Sequence, residues 1–229
     1  MNLHLEELDK IPDLHRKAID HVFETGLVST VGLWLEFGCY DGRSAKRIAA
    51  WNRAKMVYGF DSFEGLPEEW TGRVEGVFGK GAFTLGGHVP KPEFSNMEFI
   101  KGWFNESLPP FLQQHPAPAS LIHIDCDIYS STRDVLNLLD SRIMPGCIIV
   151  FDEMAGYTNF EAHEWKAWWE FVDKNKIVFE WVGGNASREL KDFPVAADGK
   201  KFQYDTDAHV SPAYENVAVK IIQNPLFAL

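Results

Sequence analysis

The sequence predicts an α/β fold in which a mostly parallel sheet carries helices on both faces, and three observations lead there. The first is a strand, a tight loop and a helix in immediate succession: LWLEFGCYDG (Leu33–Gly42) breaks at Gly38 and Gly42 before the helical pattern RSAKRIAAW begins. The second is the recurrence of such apolar runs along the chain, several of them ending on an acidic residue and alternating with helical patterns. The third is CIIVF (Cys147–Phe151), apolar without alternation, as a strand covered on both faces must be. A chain of 229 residues suits one domain with a sizeable core, and no internal repeat, low-complexity tract or inter-domain linker divides it.

Residues 1–26 read as a helical lead-in, with Pro12 in a first turn, Leu14, Ala18 and Val22 on one face, and Gly26 as the stop. After the first strand and its helix, Lys55–Phe60 is a second strand that delivers Asp61. Trp70–Pro92 is glycine-rich and aperiodic, a long loop expected to form a wall or flap of the site. Met97–Lys101 is the third strand and Leu121–Asp125 the fourth, and Ser131 with Asp134 has capping-box spacing for the helix that follows. Pro145-Gly146 turns the chain into CIIVF, which ends in Asp152-Glu153. Phe160–Asp173 reads as a helix with Trp165, Trp168, Trp169 and Val172 on one stripe, expected in the core, with a homo-oligomer interface as the lesser alternative. Ile177–Val182 and Val217–Ile222 are the last two strands. The segment 183–216 between them is far longer than a hairpin needs and reads as a substrate lid or an arm to a neighbouring subunit, with Tyr204 and His209 as its weakest candidates.

The loop after the first strand invites a ligand, because open α/β sheets bind at strand ends and backbone N–H groups gather at helix starts. A dinucleotide fingerprint needs a glycine where Tyr40 stands, and Glu36 and Asp41 add negative charge where a pyrophosphate would lie. Carboxylates suit a cationic ligand instead. Glu36, Gly38 and Gly42 in the pattern E-x-G-x-x-x-G resemble motif I of class I methyltransferases, whose cofactor S-adenosylmethionine carries a sulfonium and an ammonium. Asp61, nineteen residues beyond Gly42, is placed to accept hydrogen bonds from ribose hydroxyls. Tyr40 and Ser44 beside the loop, Ser62 after Asp61, and Trp103 in Gly102–Phe104 near an adenine ring complete the candidate cofactor contacts.

LIHIDCDIYSSTRDVL (Leu121–Leu136) places Asp125 and Asp127 after the fourth strand, and Asp152 and Glu153 follow the fifth. Adjacent parallel strands lie about 4.8 Å apart, so carboxylates at their ends can share an ion. Acidic groups crowded in one cleft repel unless neutralised, and an all-oxygen set selects a hard divalent cation such as Mg²⁺, Mn²⁺ or Ca²⁺. The bland alternative is that these acids are solvent-facing helix caps. FDSFEGLP (Phe60–Pro67), together with the two acidic motifs, resembles the TylF-type, or macrocin O-methyltransferase, family over roughly residues 30 to 155. That resemblance implies a single-domain, Rossmann-like class I methyltransferase fold with seven strands and an antiparallel last strand. It implies metal ligation by Asp125, Asp152 and Glu153 and proton removal by Asp127. The family often has Asp-Asp where this chain has Asp152-Glu153.

The implied reaction moves the methyl group of S-adenosylmethionine onto a hydroxyl of a small molecule, such as a sugar or natural-product glycoside, with Mg²⁺ the expected ion. Two alternatives stand beside it. Phosphoryl-transfer enzymes of the haloacid dehalogenase type also use D-x-D, though after their first strand and with Thr or Val where Tyr129 stands here. The other is a non-catalytic S-adenosylmethionine-binding module. A net charge of −11 argues against a broad nucleic-acid or anionic-membrane surface, and no apolar run is long enough to span a bilayer. The start, MNLHLEELDK, shows no secretory signal, and an odd three cysteines without C-x-x-C fit a reducing cytoplasm. Cys39 and Cys126 near the cleft read as space-filling, and His163 as an ordinary histidine with substrate contact the lesser option.

Overall fold

The β-strands β1 (Leu33–Phe37) and β4 (Ala119–Ile124) are buried along their whole length, and they form the centre of one seven-stranded sheet in the computed structural model. Residues 4–71, 78–157, 159–185 and 216–227 are described. With β2 (Val57–Asp61), β3 (Met97–Lys101), β5 (Ile143–Phe151), β6 (Val178–Gly184) and β7 (Val217–Gln223), the strand order is β3-β2-β1-β4-β5-β7-β6. Pairing is parallel from β3 through β5, and β7 runs antiparallel to both β5 and β6. The order reverses between β1 and β4, which opens a crevice at their carboxyl ends.

Alternation along the strands builds two cores. Leu35, Phe37, Ile122, Ile124, Ile149 and Phe151 pack on one face with α3 (Phe104–Gln114), α4 (Tyr129–Leu138) and α5 (Glu164–Asn175). Trp34, Leu121, Ile148 and Val150 pack on the other with α1 (Ala18–Glu24) and α2 (Arg43–Trp51). The tryptophan stripe of α5 belongs to the first core, where Trp168 meets Phe179 edge-on at 4.9 Å.

Several local expectations are corrected. The lead-in is not one helix: a 3-10 turn (Leu5–Lys10) is separated from α1 by an extended stretch in which Pro12 O accepts from Gly184 N–H and Leu14 N–H donates to Gly184 O, both at 2.8 Å. Backbone pairing with β6 therefore outweighs the suitability of Pro12 for a first turn. Gly26 does stop α1, at φ +68° with Leu27 N–H bonded to Val22 O. Ser131 and Asp134 form no capping box, because α4 begins at Tyr129, and Asp134 instead pairs with Arg133 at 2.8 Å. Pro145-Gly146 lies inside β5 as a bulge, the register jumping from Ala119↔Ile143 to Leu121↔Ile148. The expected 183–216 insertion begins after β6, and residues 186–215, with Tyr204 and His209, lie outside the described residues.

Candidate active site

The loop from Gly38 to Gly42 is shaped by what it must avoid. A Cβ at Gly38 would sit 1.7 Å from the Asp125 carbonyl oxygen, so only glycine lets the ends of β1 and β4 close together. Gly42, at φ +83°, turns the chain into α2 against the Phe99 ring. Asp61 at the end of β2 ties this loop down: its Oδ2 accepts the N–H groups of Cys39 and Tyr40, each at 2.8 Å, and its Oδ1 accepts that of Phe63 at 2.6 Å. Burial pushes the Asp61 carboxyl up, and the three N–H donors oppose that shift.

Above the loop opens a cavity of about 790 Å³, a size suited to a cofactor and a small acceptor. Gly38, Tyr40, Ser44, Asp61, Ser62 and Trp103 all line it. Gly42 does not, and Glu36 is fully buried behind the loop, its Oε1 3.0 Å from His123 Nδ1. Glu36 thus has no exposed surface in the cavity and stands behind the loop, within 4.8 Å of His123 and the cavity-lining Asp125. Leu66 and Trp70 are hydrogen-bonded to Ala82 and Phe78, and this folded-back stretch of the glycine-rich segment forms one wall.

Asp125, Asp127, Asp152 and Glu153 also line the cavity. Oxygens of Asp125, Asp127 and Glu153 lie within 4.8 Å of one another, a donor set that fits a hard divalent cation. Asp127 reaches the cluster from a left-handed backbone, φ +65°. Asp152 lies outside this group of three: its Oδ1 accepts from Asn216 Nδ2 at 2.6 Å and stands 3.9 Å from His123 Nε2. Burial raises the Asp125 carboxyl well above its ordinary range, with Asp152 and Asp127 adding to the rise. Burial works the same way on Asp152, but His123, Lys17 and Asn216 outweigh it and hold that carboxyl low. His123 responds oppositely: burial pulls its pKa down, yet Asp152 and Glu36 lift it to about 10.

Three further residues meet the acidic cluster, where the sequence reading gave none of them a place. His123 is the register partner of Glu36 across β1 and β4, a polar residue interrupting an apolar strand, which was the available signal. Glu164, fully buried at the start of α5, accepts the Glu153 N–H at 3.3 Å, and its carboxyl is raised well above the usual range by burial and by Asp127. Asn216 links Asp152 to the Ala18 N–H at the start of α1. His163 does not line the cavity: its Nε2 is 2.8 Å from the Thr71 carbonyl oxygen, an ordinary packing role. Cys39 and Cys126 are buried, with thiols raised well above their ordinary range by burial, as space-filling residues should be.

A reversed-order sheet with β7 antiparallel, a glycine turn clamped by an acid from β2, and acidic residues after β4 and β5 define the class I, S-adenosylmethionine-dependent methyltransferase architecture. The family model described as a methyltransferase domain matches residues 35–154, and the chain belongs to that family. A curated relative, the 8-demethyl-8-(2,3-dimethoxy-alpha-L-rhamnosyl)-tetracenomycin-C 4'-O-methyltransferase of Streptomyces olivaceus, is 29% identical over 161 residues. The match spans 60% of this chain and 59% of that relative. Among solved structures, the calicheamicin methyltransferase CalS11 superposes with a TM-score of 0.54 at 19% identity over 89% of this chain and 77% of its own. The O-methyltransferase NovP gives 0.53 at 18% over 96% and 80%. An O-methyltransferase from Bacillus cereus in complex with SAH gives 0.52 at 13% over 97% and 92%. These structures share the fold. Membership of the methyltransferase family removes the ground for the phosphoryl-transfer alternative, and the D-x-D stands after β4 rather than the first strand. No helix among the described residues is long and apolar enough to cross a membrane.

Proposed function

We propose that this chain is a divalent-metal-dependent O-methyltransferase that methylates a sugar hydroxyl of a small-molecule glycoside. The observation that carries the reading is the meeting of Asp125, Asp127 and Glu153 in the same cavity as the Gly38 turn and Asp61. The Streptomyces relative, named as a methyltransferase of a rhamnosylated tetracenomycin, supports the choice of acceptor. Three free, buried cysteines support a cytoplasmic setting.

S-adenosylmethionine, when bound, supplies an electrophilic methyl group on a sulfonium. The chain's task is to place an acceptor oxygen in line with that group and help remove its proton. Asp61 and Ser62 would hold the ribose side and Trp103 the adenine side, while the Gly38 loop would hold the methionine end. Asp125 and Glu153, the two expected ligands whose oxygens meet, would hold a Mg²⁺ ion that orients the acceptor and lowers its pKa, with Asp152 beside them on His123 and Asn216. Asp127 takes the proton. Calorimetric titration with S-adenosylmethionine, followed by a glycoside screen with and without chelator, tests the reading. Cofactor binding with metal-dependent methylation is expected. Full activity after metal removal would overturn the role of the ion, and binding without any turnover would leave a non-catalytic module.

A further inference from the structure

Behind the acidic cluster stands a further carboxylate that helix packing alone does not explain. Glu164 is the first residue of α5, beside the buried Trp165 in the chain, and it has no exposed surface. Its Oε2 accepts the Glu153 N–H at 3.3 Å, and its Oε1 has no hydrogen-bond partner among the described residues. An acid at an exposed helix start is stabilised by the helix dipole and by water, but a buried carboxylate carries a desolvation cost that one amide does not offset. Glutamine would offer Glu153 the same acceptor at lower cost, so the charge itself requires a counterpart. The charged side chains that act on Glu164 most strongly are two acids, Asp127 and Asp152. His123, the cation that also acts on it, already lies between Glu36 and Asp152.

The turn that carries Glu164 is fastened from outside the cluster. His163 Nε2 is 2.8 Å from the Thr71 carbonyl oxygen, and Asn159 Nδ2 donates to Thr71 Oγ1 at 3.1 Å. The start of α5 is thus tied to the stretch in which Trp70 lines the cavity, and Glu164 meets Glu153 from a held position. We propose that Glu164 is a positioning residue for the divalent cation: it holds the Glu153 backbone so that the Glu153 carboxylate meets those of Asp125 and Asp127, and its charge strengthens the field that draws the ion in. The inference rests on the proposed cation site and adds to it a residue that does not line the cavity. Residues that support a metal ligand in this way change metal affinity by about 10- to 100-fold when they are replaced.

The probe is Mn²⁺ alone, titrated by calorimetry into the wild type, Glu164→Gln and Glu164→Asp, with melting temperatures taken in chelator. Glu164→Gln keeps an acceptor for the Glu153 amide and removes the charge. Its Kd for Mn²⁺ should rise on the order of tenfold, while the metal-free protein melts no lower than wild type, because a buried like charge is gone. A merely structural role gives the reverse, a lower melting temperature with Mn²⁺ affinity intact. Glu164→Asp keeps the charge and withdraws the acceptor, so exchange of the Glu153 amide should quicken and Mn²⁺ binding weaken. That variant decides the matter if Glu164→Gln does not fold. Mn²⁺ affinity equal to wild type in the folded variants overturns the role of Glu164 and leaves the cation site standing. No Mn²⁺ binding by the wild type overturns the cation site itself, and the role of Glu164 with it.

Discussion

Glu36 and His123 face each other in register on β1 and β4, with His123 Nδ1 3.0 Å from Glu36 Oε1 and neither side chain more than 3% exposed. A charged pair at the centre of a sheet is costly to desolvate and more costly to break, since a lone partner is left without compensation. Here the pair continues outward: His123 stands between Glu36 and Asp152, and Asn216 joins Asp152 to the first turn of α1. The acidic floor of the cavity is thus tied to the face of the sheet that α1 covers.

A pH dependence follows, with a definite sign. His123 titrates near 10 in the folded chain, above its ordinary 6.5. Its contribution to stability is therefore complete below about pH 6.5 and is lost as pH rises through about 10. His123→Leu should destabilise the protein by about 3–5 kcal/mol near neutral pH. The gap in melting temperature between wild type and variant should be widest near pH 6.5 and shrink by pH 10. A gap that is flat across that window would show that the imidazole is neutral throughout.

Gly38 has no substitute. Its φ is +88°, and an alanine methyl there would lie 1.7 Å from the Asp125 carbonyl oxygen, which leaves no room for it. Gly38→Ala should cost at least about 3 kcal/mol and abolish cofactor binding, since β1 and β4 must separate to admit it. Gly79→Ala, at a glycine with nothing within 4 Å of its Cβ, is the control and should melt like wild type. Thermal denaturation and calorimetry on the two variants measure the contrast.

The strands and the acids at their ends were readable in the sequence because each is a local signal: an apolar run, a break, a carboxylate. CIIVF, LIHIDCD and the Gly38 turn lie where the patterns predicted. What could not be read depends on partners distant in sequence. Glu36 resembles a cofactor contact until β4 places His123 beside it. Asp152 loses one oxygen to Asn216, 64 residues away. Pro145-Gly146 has the chemistry of a turn, and only the pairing of β5 with β4 makes it a bulge.

The carboxylates of Asp125, Asp127 and Glu153 should respond to a cation even without substrate. Like charges in a buried cluster oppose folding, so an ion that binds the folded state alone raises its stability by mass action. Mn²⁺ or Mg²⁺ should raise the melting temperature of the wild type, and chelator should reverse the change. Asp125→Asn should remove most of the response. Asp127→Asn should lower turnover by about 10²-fold or more while S-adenosylmethionine affinity persists, as expected for loss of a general base. An equal response to metal in Asp125→Asn would place the ion elsewhere.

Asp61 gives the sharpest separation of charge from shape. Its carboxylate accepts three backbone N–H groups, two on Oδ2 and one on Oδ1. In Asp61→Asn one of those positions becomes an NH₂ group, which cannot accept, so the Cys39 and Tyr40 amides or the Phe63 amide must lose a partner. Charge-assisted hydrogen bonds of this kind contribute about 1.5–3 kcal/mol each. Cofactor affinity should therefore fall by about 10- to 100-fold, and amide exchange at Cys39, Tyr40 or Phe63 should quicken in the free protein. The two readouts separate the roles of the side chain. Weaker affinity with unchanged exchange would mean that Asp61 serves the ribose alone, and faster exchange before any cofactor is added would mean that it builds the loop on which the cofactor rests.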